Sequence, residues 1–190
     1  MFVALFHSMF GRREVELAAA ERLRTAGHDV VVPDLFAGET VPGDIDQGWA
    51  LMKTIGWEPI VDRARRSLST APPDAVLGGF SMGVGVVGAL WPERPDAAGA
   101  FCLHAPLVVP RTARAGTPVQ VHVGTADPFA PADQLVRFRE SAVAAGAVAS
   151  VHEYPHVGHF FTDVTLSDYD EAAAVNTWEQ VLRLLEEIGR

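Results

Sequence analysis

Residues 75 to 89 read Ala75-Val76-Leu77-Gly78-Gly79-Phe80-Ser81-Met82-Gly83-Val84-Gly85-Val86-Val87-Gly88-Ala89. An apolar run stops at Phe80, one hydroxyl follows, and a small-residue stretch continues with Val84, Val87 and Leu90 along one side. That is the order strand, sharp turn, helix. Gly79-Phe80-Ser81-Met82-Gly83 is a G-x-S-x-G pattern, in which glycine two positions either side of the serine removes Cβ atoms that a strained turn would drive together. A serine at a helix start has the next backbone N–H, that of Met82, close enough to stabilise an oxyanion. A P-loop would need Gly-Lys-Ser/Thr, and a dinucleotide loop G-x-G-x-x-G after the strand with an acid about 20 residues on. Neither is present. Alone, the pattern also fits a glycine-rich turn in a non-catalytic α/β protein.

Outward from this segment, short apolar runs at 2–6, 28–33, 74–80, 98–104, 118–124 and 149–154 read as strands. They are mostly unbroken rather than alternating, as in strands covered on both faces, so a parallel sheet with helices on either side is expected. Helical patterns occupy 12–26, where Val15, Ala19, Leu23 and Ala26 form a stripe, then 46–68, 131–145 and 170–188. Gly48, Gly56 and Pro59 divide the second into two pieces. With no repeat, low-complexity tract or long linker, residues 1–190 read as one α/β domain.

The chain has 190 residues, 48% of them hydrophobic, which is enough to build a core without disulfides or structural metal. Its net charge of -9 and single cysteine, Cys102, argue against nucleic acid and against an oxidising compartment. The longest basic cluster, Arg63, Arg65 and Arg66, reads as a solvated helix face. The apolar start is too short to span a bilayer and lacks the marks of a signal peptide, so a cytoplasmic setting without membrane partners is expected.

An acyl-transfer serine needs an imidazole as base and a carboxylate to orient it, in the chain order nucleophile, acid, histidine. Asp127 follows the strand at 118–124 in Gly124-Thr125-Ala126-Asp127-Pro128. His159 follows the next strand in Pro155-His156-Val157-Gly158-His159-Phe160-Phe161. Both leave the sheet edge that Ser81 leaves, where open α/β sheets bind ligands. His156 is the rival base; His28, His122 and His152 fall in strand patterns, and His104 ends a strand beside the cleft. A metal site from His156, His159 and Asp163 lacks a further ligand, so no metal or cofactor is expected. The second oxyanion donor is sought in His7-Ser8-Met9-Phe10-Gly11, with the Met9 N–H as candidate, although an ordinary turn explains Gly11 equally well. Ser8, Phe10, Phe36, Trp57, Phe129 and Phe160 are candidate substrate-binding residues, with Met9, Trp49 and Met52 as further candidates for the pocket lining.

Taken together, Phe6 to Gly11, Val32-Pro33-Asp34-Leu35-Phe36, Gly79 to Gly83, Gly124 to Asp127 and Gly158 to Phe161 resemble the dienelactone hydrolase family of α/β-hydrolases over nearly the whole chain. The resemblance implies an α/β-hydrolase fold with a reduced, mostly parallel sheet of about six strands. It also implies a triad at Ser81, Asp127 and His159 and oxyanion donors at Met82 and Met9. Namesake members carry cysteine where Ser81 stands, glutamate where Ser8 stands, and a substrate-binding arginine with no match in Phe160-Phe161-Thr162-Asp163. The expected activity is therefore serine-dependent hydrolysis of a neutral carboxylic ester, lactone or thioester, with dienelactone itself disfavoured. The partner expected is that small molecule, with a homodimer left open. The competing reading is a non-catalytic small-molecule-binding or interaction module on the same fold.

Overall fold

The computed structural model describes residues 1–190. Strands β1 (Phe2–Phe6), β2 (Asp29–Val31), β3 (Val76–Phe80), β4 (Ala100–Leu103), β5 (Pro118–Gly124) and β6 (Val148–Tyr154) form one sheet in the order β2-β1-β3-β4-β5-β6. Every neighbouring pair is parallel. The helices are α1 (Glu14–Thr25), α2 (Ile45–Ile55), α3 (Trp57–Ser67), α4 (Met82–Leu90), α5 (Ala132–Ala145) and α6 (Glu171–Ile188), with a short 3₁₀ turn at Trp91–Glu93.

Strand period 2 sends alternate residues of β1 to opposite faces. Ala4 and Phe6 join a core with residues of α3, α4 and α5, whereas Val3 and Leu5 join one with residues of α1 and α6. This two-sided covering is why the strands read as continuous apolar runs. The edge strand β2 is shorter than the run at 28–33, because the His28 N–H closes the end of α1 on the Leu23 carbonyl instead of entering the sheet. Between β4 and β5 the chain crosses without a helix.

The segment 46–68 does divide, at Gly56, whose φ of 87° no side-chain-bearing residue adopts easily. Gly48 instead stays inside α2. Arg65 of the basic cluster pairs with Asp62 and Glu93 on the surface, and Arg63 donates to the Leu35 carbonyl.

The registers Phe6↔Gly79, Phe80↔Leu103 and Gly124↔Tyr154 bring the carboxyl ends of the central strands to one edge. Strand order reverses between β1 and β3, since β2 lies on one side of β1 and β3 on the other. The loops after β1 and β3 therefore flank the crevice that such a reversal opens. No helix is long and apolar enough to cross a membrane.

Candidate active site

Ser81 sits between β3 and α4 with φ 50° and ψ -107°, a conformation that costs of order 1–3 kcal/mol for a residue with a side chain. Its surroundings hold it there. The Ser81 N–H donates to the Leu103 carbonyl at 2.8 Å. A Cβ on Gly79 would stand 2.4 Å from the Gly83 carbonyl carbon, and one on Gly83 would stand 2.3 Å from the Phe6 carbonyl oxygen. Both glycines are thus demanded by backbone against backbone, so α4 can start directly beneath the serine.

The loops carrying the other two groups are tied to each other. Thr125 N–H donates to the Tyr154 carbonyl, Ala126 N–H to the Val157 carbonyl, and His156 N–H to Thr125 Oγ1. Asp127 accepts the Phe129 N–H on Oδ1 at 2.8 Å, which turns Oδ2 toward the imidazole. Nδ1–H of His159 donates to that Oδ2 at 2.6 Å, and the Ser81 hydroxyl donates to His159 Nε2 at 2.7 Å. The carboxylate can only accept, so it fixes the proton on Nδ1 and leaves Nε2 free to take one from serine. Asp127 and His159 are buried, whereas Ser81 is partly exposed to the cleft.

His156, the rival base, is exposed, has a left-handed φ of 64°, and bonds neither Ser81 nor Asp127. Asp163 is engaged by Arg13, and no three His, Cys, Asp or Glu side chains are grouped to hold a metal ion. His104 lies buried behind the triad, its ring 5.7 Å from that of His159, with Nε2 bonded to Thr162 Oγ1; burial holds it well below the usual imidazole range. Cys102 is buried in β4, and burial pushes its thiol up, leaving it inert.

Two backbone N–H groups near Ser81 are left without an acceptor inside the protein. Met82, the first residue of α4, has an N–H without an intrahelical acceptor. In the loop after β1 the amides of Ser8, Phe10 and Gly11 are occupied by Glu16 Oε1, Ser8 Oγ and the Ser8 carbonyl, while that of Met9 donates to nothing inside the protein. His7 anchors the start of this loop: its Nδ1–H donates to the Ser8 carbonyl and its Nε2 accepts the Leu35 N–H. Burial lowers the His7 pKa to about 4, so the ring is neutral.

A cavity of about 260 Å³ opens beside Ser81 and His159, lined also by Met9, Ile45, Trp49, Ala105, Phe129 and Phe160. Of the residues singled out in the sequence, Phe129 and Phe160 lie on it, as do Met9 and Trp49. The structure places the others elsewhere. Ser8 is buried with its hydroxyl turned to Glu16, Phe10 packs behind Phe160, and Phe36 lies in the core against His7. Trp57 packs over Gly85 and, with Met52, lines a separate surface hollow. The reasons differ: Ser8 and Phe10 turn inward in the loop after β1, Phe36 packs into the core, and Met52 and Trp57 sit on helices whose outer side faces solvent. Ile45 and Ala105 escaped the sequence reading because neither type signals a binding role.

A family model described as the dienelactone hydrolase family matches residues 2–189. No curated protein sequence matches the chain. Among solved structures, a dienelactone hydrolase-like promiscuous phosphotriesterase from metagenomic libraries superposes with a TM-score of 0.80 at 19% identity, covering 98% of this chain and 86% of that one. A metagenome-derived lipolytic enzyme gives 0.70 at 13% identity, with 97% and 93% covered. A thermophilic esterase from the planctomycete Thermogutta terrifontis, solved with propionate bound, gives 0.64 at 17% identity, with 99% and 83% covered. At these identities the structures establish a common α/β-hydrolase fold.

Proposed function

Because the chain belongs to the dienelactone hydrolase family, and its triad is a serine hydrolase's, we propose that Ser81 attacks the carbonyl of a small, uncharged carboxylic ester, lactone or thioester and is transiently acylated. The observation that carries this reading is the continuous chain from Ser81 Oγ through His159 to Asp127, at 2.7 Å and 2.6 Å.

In the first half-reaction His159 Nε2 takes the Ser81 proton as Oγ bonds to the carbonyl carbon. The carbonyl oxygen becomes an oxyanion held by the N–H groups of Met82 and Met9. Collapse breaks the bond to the leaving alcohol or thiol, which His159 protonates. In the second half, His159 deprotonates a water that attacks the acyl-enzyme, and the acid departs as Ser81 recovers its proton. Asp127 stays ionised throughout and stabilises the imidazolium. No residue lining the cavity is cationic, which favours neutral acyl groups, and its volume favours short ones. The buried lone cysteine supports a cytoplasmic, reducing setting.

Purified protein assayed on p-nitrophenyl butyrate, with Ser81→Ala beside it, tests the reading. Turnover by the native chain, its loss in the variant and labelling of Ser81 by a fluorophosphonate are expected. Undiminished turnover in Ser81→Ala overturns it. A folded native chain that neither turns over nor labels would instead favour the binding-module reading.

A further inference from the structure

Glu16 is an acid on the buried face of α1, in line with Ala19, Ala20 and Leu23, and only 1% exposed. A carboxylate there loses its hydration and must be compensated. Part of its role is ordinary: as the third residue of the helix it reaches back with Oε2 to the Arg13 N–H at 3.0 Å, one half of a capping box. That uses one oxygen. The other, Oε1, leaves the helix altogether and accepts both the hydroxyl of Ser8 at 3.0 Å and its N–H at 3.4 Å. Ser8 Oγ in turn accepts the Phe10 N–H at 3.4 Å.

These bonds grip the residues on either side of Met9 and spare Met9 itself. Were Ser8 unpaired, its hydroxyl and amide would be free to seek other partners, and the Met9 peptide plane could rotate with them. Arg13 supports the same arrangement from outside: its guanidinium bonds Asp163 Oδ2 at 2.5 Å, lies 3.7 Å from Glu16 Oε1, and stacks 4.9 Å above the Phe10 ring. Burial pushes the Glu16 carboxyl up, and Arg13 opposes that push.

We propose that Glu16 is a positioning residue for the reaction: acting through Ser8, it sets the peptide plane of Met9 so that its unoccupied N–H points at the oxyanion. The inference rests on the hydrolase reading above and adds a residue that touches neither substrate nor triad. Its mark is that it matters more in the tetrahedral state than in the Michaelis complex, because only there does full negative charge face the Met9 N–H.

An alkylboronic acid reads that state directly. Ser81 Oγ adds its electron pair to the trigonal boron, the serine proton passes to His159, and the resulting tetrahedral boronate carries a hydroxyl in the oxyanion position. For Ser8→Ala, which deletes only the hydroxyl, and for Glu16→Gln, whose amide N–H₂ meets the Arg13 N–H or Ser8 donor to donor, kcat on p-nitrophenyl butyrate is expected to fall about tenfold to hundredfold. The boronic acid Ki should rise by the same factor, with KM within about threefold of the native value. Values of kcat and Ki both near native, or a fall in kcat with no matching rise in Ki, overturn the proposal. Should Glu16→Gln fail to fold, Ser8→Ala decides alone. Failure of the hydrolase reading looks different: the native chain would then neither bind the boronic acid through Ser81 nor turn over ester.

Discussion

Gly48 of α2 rests directly on Met9: a Cβ added to it would lie 3.1 Å from Met9 Cγ and 3.3 Å from the Met9 carbonyl oxygen. A glycine inside a helix costs roughly 0.8–1 kcal/mol against alanine, and here the missing side chain lets α2 close over the loop that carries the proposed oxyanion donor. Local propensity and site geometry therefore pull in opposite directions. Gly48→Ala should leave urea-unfolding free energy unchanged or higher while lowering kcat about threefold to tenfold; unchanged kcat would show that Met9 yields without moving its N–H.

The role of Asp127 has a sharper consequence. In Asp127→Asn, the oxygen that accepts the Phe129 N–H can remain, but the atom facing His159 becomes an N–H₂ donor. That forces the imidazole proton onto Nε2, so the ring cannot receive the serine proton. A loss of about 10⁴ in kcat is expected with little change in stability. Steady-state kinetics beside a melting curve checks both halves.

Acid should destabilise the fold through buried imidazoles. Burial is the main reason the His7 pKa is lowered to about 4, with Asp34 raising it and Arg12 and Arg13 lowering it further, and burial lowers that of His122 to about 3. Burial likewise holds His104 well below the usual imidazole range. An unfolded chain protonates such groups near pH 6.5, the native chain does not, so their contribution is complete above about 6.5 and is lost as pH falls toward 4. Three such groups give a slope approaching about 4 kcal/mol per pH unit within that window. Urea titrations between pH 7.5 and 4.5 measure it, and His122→Gln should remove about one proton from the slope.

Trp49 stands between two apolar spaces. It lines the cavity at Ser81 and also the outer hollow formed with Ala50, Met52, Lys53, Gly56 and Trp57. Trp49→Ala should join them and shift acyl preference from butyryl toward octanoyl esters by about tenfold in relative kcat/KM, the order of effect one apolar contact carries in a pocket. A chain-length series of p-nitrophenyl esters gives the answer; an unaltered profile would place the acyl group elsewhere.

The fold and triad were legible because each rests on local chemistry. Unbroken apolar runs signal a sheet covered on both sides, and Gly79 reports a contact within a few residues, against Gly83. Asp127 and His159 were found because a parallel sheet delivers successive loops to one edge whatever its side chains are. The pocket was not legible in the same way. Phe10 and Phe36 look as suitable as Phe129 and Phe160 in the chain, yet the first pair is buried away from the cleft and the second borders it.

Residue order alone thus determined the architecture, the nucleophile and the partners that make it reactive, since periodicity, turn chemistry and strand-end position are properties of short segments. Which aromatics line the cavity, that Ser8 turns inward to Glu16, and that Arg13 ties the first loop to Asp163 across 150 positions were decided only by tertiary packing. A side chain's direction at a strand end depends on which helix closes over it. That helix comes from elsewhere in the chain.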